Sequence, residues 1–149
     1  MRFDKETIRW HFESFRLPNG SFIAAPSRDY KDTWLRDTLY CSFAYWFLED
    51  YQKLKEGIWA VFDYLQDKRH LNRLKTGIAS PERISSGTIH AKYSGMTFTE
   101  SVDDDKWGHH QLDAIGLMLH VVADLDFKNI SFIRNDGDSE IVKLLIYYL

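Results

Sequence analysis

The chain has 149 residues, of which 44% are hydrophobic, 28% charged and 15% aromatic, the profile of one folded globular domain and not of a disordered, fibrous or membrane-embedded segment. Nineteen basic and twenty-two acidic residues leave a formal charge of −3, so no global field draws the chain to nucleic acid or anionic lipid. The single cysteine, Cys41, excludes an internal disulfide framework and a cysteine-based structural zinc site.

Charges at Arg2, Asp4, Lys5 and Glu6 break up the N-terminus, and no uncharged apolar run reaches spanning length. Neither a signal peptide nor a transmembrane helix is expected, and the resulting expectation is a cytoplasmic protein without membrane or nucleic-acid partners. Ten Phe, eight Tyr and five Trp supply either an aromatic core or a groove for a ligand with planar or sugar-like faces.

Thr7 to Phe15 reads as a short helix with Ile8, Phe12 and Phe15 on one side, and Leu17-Pro18-Asn19-Gly20 as a turn in which Gly20 supplies a positive φ. From Thr33 to Leu48 the residues Leu35, Leu39, Phe43, Trp46 and Phe47 recur at helical spacing, with Asp32 or Thr33 placed to cap the start. Tyr51, Leu54, Ile58, Val61, Phe62 and Leu65 then define a second amphipathic helix. Only Glu49 and Asp50 connect the two, so they run antiparallel.

Between Leu71 and Lys106 the periodicity dissolves into Gly77, Ser80-Pro81, Ser85-Ser86-Gly87, Gly95 and Asp103-Asp104-Asp105. This reads as a long irregular segment that builds or covers a site, with short strands at Thr88 to Tyr93 and Met96 to Thr99. Gln111 to Ala123 is apolar nearly all round, which predicts a helix buried on both sides with His120 as a satisfied core imidazole. Asp138 or Ser139 is placed to cap a last helix with Ile141, Leu144, Leu145 and Tyr148 inward. No stop signal follows it, so the sequence reads as halting inside a larger protein. Helical hairpins without a convincing sheet point to an all-α layered architecture.

Two clusters gather aromatic, cationic and carboxylate groups at helix starts. The first is Tyr30-Lys31-Asp32-Thr33-Trp34-Leu35-Arg36-Asp37. An indole face beside a guanidinium fork and a carboxylate suits a polyhydroxylated ligand, and a solvated Arg36–Asp37 pair with Trp34 in the core fits the same pattern. The second runs from Asp103 through Trp107-Gly108-His109-His110-Gln111-Leu112-Asp113, with Asp113 four residues after His109. No third and fourth ligand occur at a recognisable spacing, so no metal is expected there. No nucleophile elbow, phosphate loop or dinucleotide fingerprint occurs, so no cofactor is expected.

Four segments in order, Leu17-Pro18-Asn19-Gly20 with Phe22 to Ser27, then Trp34-Leu35-Arg36-Asp37, then His90-Ala91-Lys92-Tyr93, then Trp107-Gly108-His109-His110-Gln111-Leu112-Asp113-Ala114, resemble glycoside hydrolase family 15. This glucoamylase-like family has non-hydrolytic relatives in the phosphorylase kinase regulatory subunits. The resemblance implies the N-terminal part of an (α/α)6 toroid whose funnel receives the non-reducing end of an α-glucan. It implies that Arg36 and Asp37 grip glucose hydroxyls, that Trp107 lines the sugar subsites, and that Gln111 and Asp113 occupy polar positions of the second motif, while Trp34 is a substrate-binding candidate from its own residue pattern.

His109-His110 stands where glucoamylases have Arg-Pro, which leans toward the regulatory relatives and weakens the inference of hydrolysis. Inversion needs a general acid and a general base roughly 6.5–9.5 Å apart. By resemblance both lie beyond residue 149, so no catalytic residue is assigned in this chain and the chain alone is expected to be inactive.

Overall fold

The computed structural model describes residues 4–25, 32–80, 88–100 and 111–149. Among them are six helices and one two-stranded sheet: α1 (Lys5–Phe15), β1 (Thr33–Trp34), α2 (Leu35–Phe47), α3 (Tyr51–Gln66), α4 (Lys68–Ala79), β2 (Lys92–Tyr93), α5 (Leu112–Phe127) and α6 (Asp136–Tyr148). The fold is all-α, an arc of packed α/α hairpins that forms part of an (α/α)6 toroid.

The pair that organises the arc is α2 and α5, which lie side by side and parallel. Arg36 meets Asp113 at their starts, Phe43 meets His120 midway with ring centroids 6.4 Å apart, and Lys128 sits 4.4 Å over Trp46 at their ends. The hairpin partner α3 returns along α2 from a turn in which Glu49 takes φ 59° and the Asp50 carboxylate caps Lys53 N–H. Gly57 of α3 faces Ser42 of α2 so closely that a Cβ there would collide with the serine side chain, so glycine sets the spacing of this hairpin.

A continuous core runs from Phe22, Leu35 and Leu39 through Leu54, Ile58, Val61 and Phe62 to Ile115, Met118, Leu125, Ile141 and Leu145. Outside it, α1 is fastened to the α2–α3 hairpin by ion pairs. Arg9 bonds Asp50 at 3.0 Å, Arg16 pairs with Glu56, and Lys53 pairs with Glu13. Gly20 has φ 93° and closes its turn with a Gly20 N–H to Leu17 C=O bond, as the sequence predicts.

Several expectations are corrected. Thr33–Trp34 is a strand paired with Lys92–Tyr93, so α2 starts at Leu35, and its first amide is capped by Ala91 C=O at 2.8 Å and not by Asp32 or Thr33. The segment expected to be irregular from Leu71 contains most of α4, capped by Asp67 and burying His70, Leu74 and Gly77. Of the strands expected at 88–93 and 96–99, only Lys92–Tyr93 forms, and residues 94–98 turn with Phe98 at φ 55°.

Helix α5 runs four residues past Ala123 and is buried on one side only, through Ala114, Ile115, Met118, Val121, Val122 and Leu125. His120 is therefore no core imidazole: its side chain is 63% exposed and lies 3.7 Å from Asp124. The cap of α6 is Asn135, which accepts from Asp138 N–H, because Asp138 is drawn inward by Arg134 and Gln66. No helix among the described residues is long and apolar enough to cross a membrane.

Candidate functional site

The parallel arrangement of α2 and α5 brings two sequence-distant segments to one end of the molecule. Arg36, in the first turn of α2, pairs with Asp113, in the first turn of α5: Nη2 donates to Oδ1 at 2.9 Å, and Nε lies 2.8 Å from Oδ2 as an ion-pair contact. Both side chains remain open to solvent, 43% and 53% exposed. Helix N-termini favour anions and disfavour a cation, so Asp113 sits well with the dipole of α5 and also supplies the countercharge that Arg36 needs at the start of α2.

Trp34 precedes this pair as the last extended residue before the helix, at φ −111° and ψ 135°, and is half-buried opposite Lys92 in the two-stranded ladder. Lys92 Nζ reaches Asp32 at 3.3 Å, so the ladder carries a charge pair alongside the indole.

Asp37 faces another way. Its carboxyl lines a cleft of about 370 Å³ between α1 and α2, together with Phe12, Phe15, Ile23, Tyr40 and Cys41. Burial among these groups raises its pKa above the ordinary carboxylate range, and the Arg36 charge offsets only part of the effect. The same surroundings push the Cys41 thiol up to about 11, which makes it an inert packing group. Arg36 and Asp37 thus diverge, one toward α5 and one toward α1, although they are adjacent in sequence.

Gln111 is the residue before α5. Its Oε1 is buried with no hydrogen-bond partner among the described residues, beside a void of about 10 Å³ that Leu35, Ile115 and Tyr148 also line. The structure therefore joins Arg36 to Asp113, sets Trp34 and Gln111 just before the two helix starts and Asp37 at the cleft beside α1, and Trp107 lies outside the described residues. Among the described residues no group of three His, Cys, Asp or Glu side chains is arranged to hold a metal ion. What the paired helix starts offer is hydrogen bonding: the Arg36 guanidinium and the Asp113 carboxylate, both solvent-accessible, are a donor and acceptor set matched to a polyol.

Sequence reasoning missed a neighbouring cluster, Arg73, His70, His90 and Glu100, where α4 meets the loop before α5. The signal was present in the Asp67 cap and in Leu71, Leu74 and Ile78 at helical spacing, masked by the charges between them.

The fold is that of an all-α, glycosidase-like domain, and the sequence pattern of glycosyl hydrolases family 15 matches residues 13–149. The chain belongs to that family. It is 29% identical over 135 residues to phosphorylase b kinase regulatory subunit alpha, liver isoform, of Takifugu rubripes, covering 80% of this chain and 11% of the relative. The skeletal muscle isoform of Oryctolagus cuniculus is 28% identical over 137 residues, 83% of this chain and 11% of the relative. A probable regulatory subunit alpha of Drosophila melanogaster is 26% identical over 130 residues, 78% of this chain and 10% of the relative. The chain thus spans about a tenth of the length of the curated relatives it matches.

Proposed function

We propose that the shared N-terminal end of α2 and α5 is a carbohydrate-binding wall that receives the non-reducing end of an α-glucan, as part of a family 15 funnel. The observation that carries this reading is the Arg36–Asp113 pair, which joins two segments 77 residues apart and leaves both groups accessible. On binding, sugar hydroxyls replace water around the guanidinium and carboxylates, and Trp34 covers an apolar face of the ring. Asp37, Gln111 and Trp107 complete the wall, with Asp37 serving the side that opens on the α1 cleft.

The whole protein is, on this reading, an inverting exo-hydrolase of α-glucans whose general acid and base come from other parts of the polypeptide. A second reading is a non-hydrolytic, glucan-sensing regulatory domain. The names of the relatives support it, since each is a phosphorylase b kinase regulatory subunit alpha, and so does His109-His110. Both readings share the binding wall.

Calorimetric titration with maltoheptaose tests it. Wild type binds, while Arg36→Ala and Asp37→Ala keep the helical circular dichroism and lose affinity by about tenfold or more. Unchanged affinity in both variants, or no binding by wild type, refutes the wall. The 149-residue chain releases no glucose from maltooligosaccharides, and release by the pure chain would refute the assignment of its catalytic groups elsewhere.

A further inference from the structure

A dense set of titratable side chains outside the wall lies where α4 meets the loop that carries β2. Arg73 grips both oxygens of Glu100, Nε to Oε1 at 2.8 Å and Nη2 to Oε2 at 3.1 Å. The Nδ1 atoms of His70 and His90 face the same carboxylate, 3.9 Å from Oε1 and 3.8 Å from Oε2. Two further contacts fasten the loop to α4: His70 Nε2 lies 2.8 Å from Phe98 O, and Arg69 Nη2 donates to Thr97 O at 3.4 Å. One face of a rigid helix therefore holds residues 97, 98 and 100 of a loop that has little regular structure of its own.

From Glu100 a continuous path leads to the wall. Glu100 forms a β-bridge with Tyr93, and Tyr93 stacks on Tyr64 with centroids 3.9 Å apart and planes within 12°. Tyr64 packs in turn on His70 at 3.9 Å, and its hydroxyl donates to His90 C=O at 2.6 Å. Tyr93 and Lys92 pair with Thr33 and Trp34, and Ala91 C=O accepts from Leu35 N–H, the first amide of α2. Arg36 follows directly. The loop thus fixes both the register of Trp34 and the start of the helix that carries the guanidinium.

We propose that Glu100 and Arg73 are positioning residues for the carbohydrate wall. Their ion pair clamps the 88–100 loop to α4, so that Ala91 caps α2 and Trp34 stays in register with Lys92. The clamp depends on charge: burial works against the ionised Glu100, yet Arg73 and His90 outweigh it and keep the carboxyl below its ordinary range. The inference rests on the reading of this end as a sugar-binding wall, and its structural half is measurable without sugar.

Glu100→Gln keeps the size of the side chain and removes its charge, and Arg73→Lys keeps the charge and gives up the fork. Each is compared with wild type by amide hydrogen exchange and by titration with maltoheptaose. In Glu100→Gln, exchange at Leu35 quickens by about tenfold or more, Val61 in the core of α3 keeps its protection, and maltoheptaose affinity falls by a similar factor. Arg73→Lys gives intermediate values for both.

A merely structural role predicts instead that Leu35 and Val61 lose protection together, and that result overturns the proposal. Unchanged exchange at Leu35 overturns it too, as does faster exchange with unaltered affinity. Absence of binding by wild type defeats the carbohydrate reading and the positioning role with it. That failure is distinguishable, because exchange at Leu35 still answers Glu100→Gln.

Discussion

Leu35 sits between Trp34 and Arg36, and replacing it with alanine tests whether the wall stands on a rigid support. Its side chain is 2% exposed and packs where α2, α5, α6 and the β2 loop converge, beside a void of about 10 Å³. Leu→Ala changes in cores cost about 2–5 kcal/mol, the higher values arising where neighbours cannot relax into the space. Here the neighbours are Ile115 in the first turn of α5, Tyr148 held by its bond from Ile89 N–H, and Ala91 held by the bond it accepts from Leu35 N–H, so the upper half applies, about 3–5 kcal/mol. Leu112 lines the same void but is 40% exposed, so Leu112→Ala costs about 1 kcal/mol or less. Urea denaturation followed by circular dichroism measures both. If Leu35→Ala costs no more than Leu112→Ala, the region collapses freely and the account of a rigid support is wrong.

Stability falls with acidification through His70, whose burial lowers its pKa below the ordinary 6.5 against opposing contributions from Phe98 C=O, Asp67 and Glu100. The folded form keeps this imidazole neutral, so its contribution is complete above about pH 6.5 and is lost as pH falls through the folded-state value. His70→Gln is less stable at pH 8 and shows a flatter loss from pH 6.5 downward; an equally steep loss would assign the effect to other groups. Gly57→Ala drives a methyl into Ser42 and costs about 1–3 kcal/mol by overpacking, while adding Ser42→Gly recovers most of it. Simple additivity of the two changes in a double-mutant cycle would show that this contact does not set the α2–α3 spacing.

The helices with long apolar stripes were legible from sequence because burial and periodicity coincide there, as in Leu54, Ile58, Val61 and Leu65 of α3, all fully buried. Helix α4 was hidden because Lys68, Arg69, Arg73 and Lys75 dilute the stripe of His70, Leu74 and Gly77, and two of those cations are spent on partners far away in sequence, Thr97 and Glu100. The start of α2 was misjudged for a related reason. Thr33 satisfies local capping rules, but pairing with Tyr93 places it in a strand, and the cap comes from Ala91, 56 residues away by sequence number.

His120 shows the limit of composition. A helix apolar nearly all round predicts burial on every side, and among the described residues only one side of α5 is covered. In the wall itself the residue types were legible, and the direction of each was not. Only the three-dimensional arrangement shows Arg36 turned to Asp113 and Asp37 turned to the cleft beside α1.

The most direct test of the carbohydrate wall is nuclear magnetic resonance of the labelled chain titrated with maltoheptaose, following the indole N–H of Trp34, the Nε–H of Arg36 and the backbone amides of Gln111 and Asp113. The account predicts that these four move together along one saturation curve, and that Arg36→Ala abolishes the movement at Trp34. Saturable shifts confined to other surfaces, or no shift at any of the four, would contradict it.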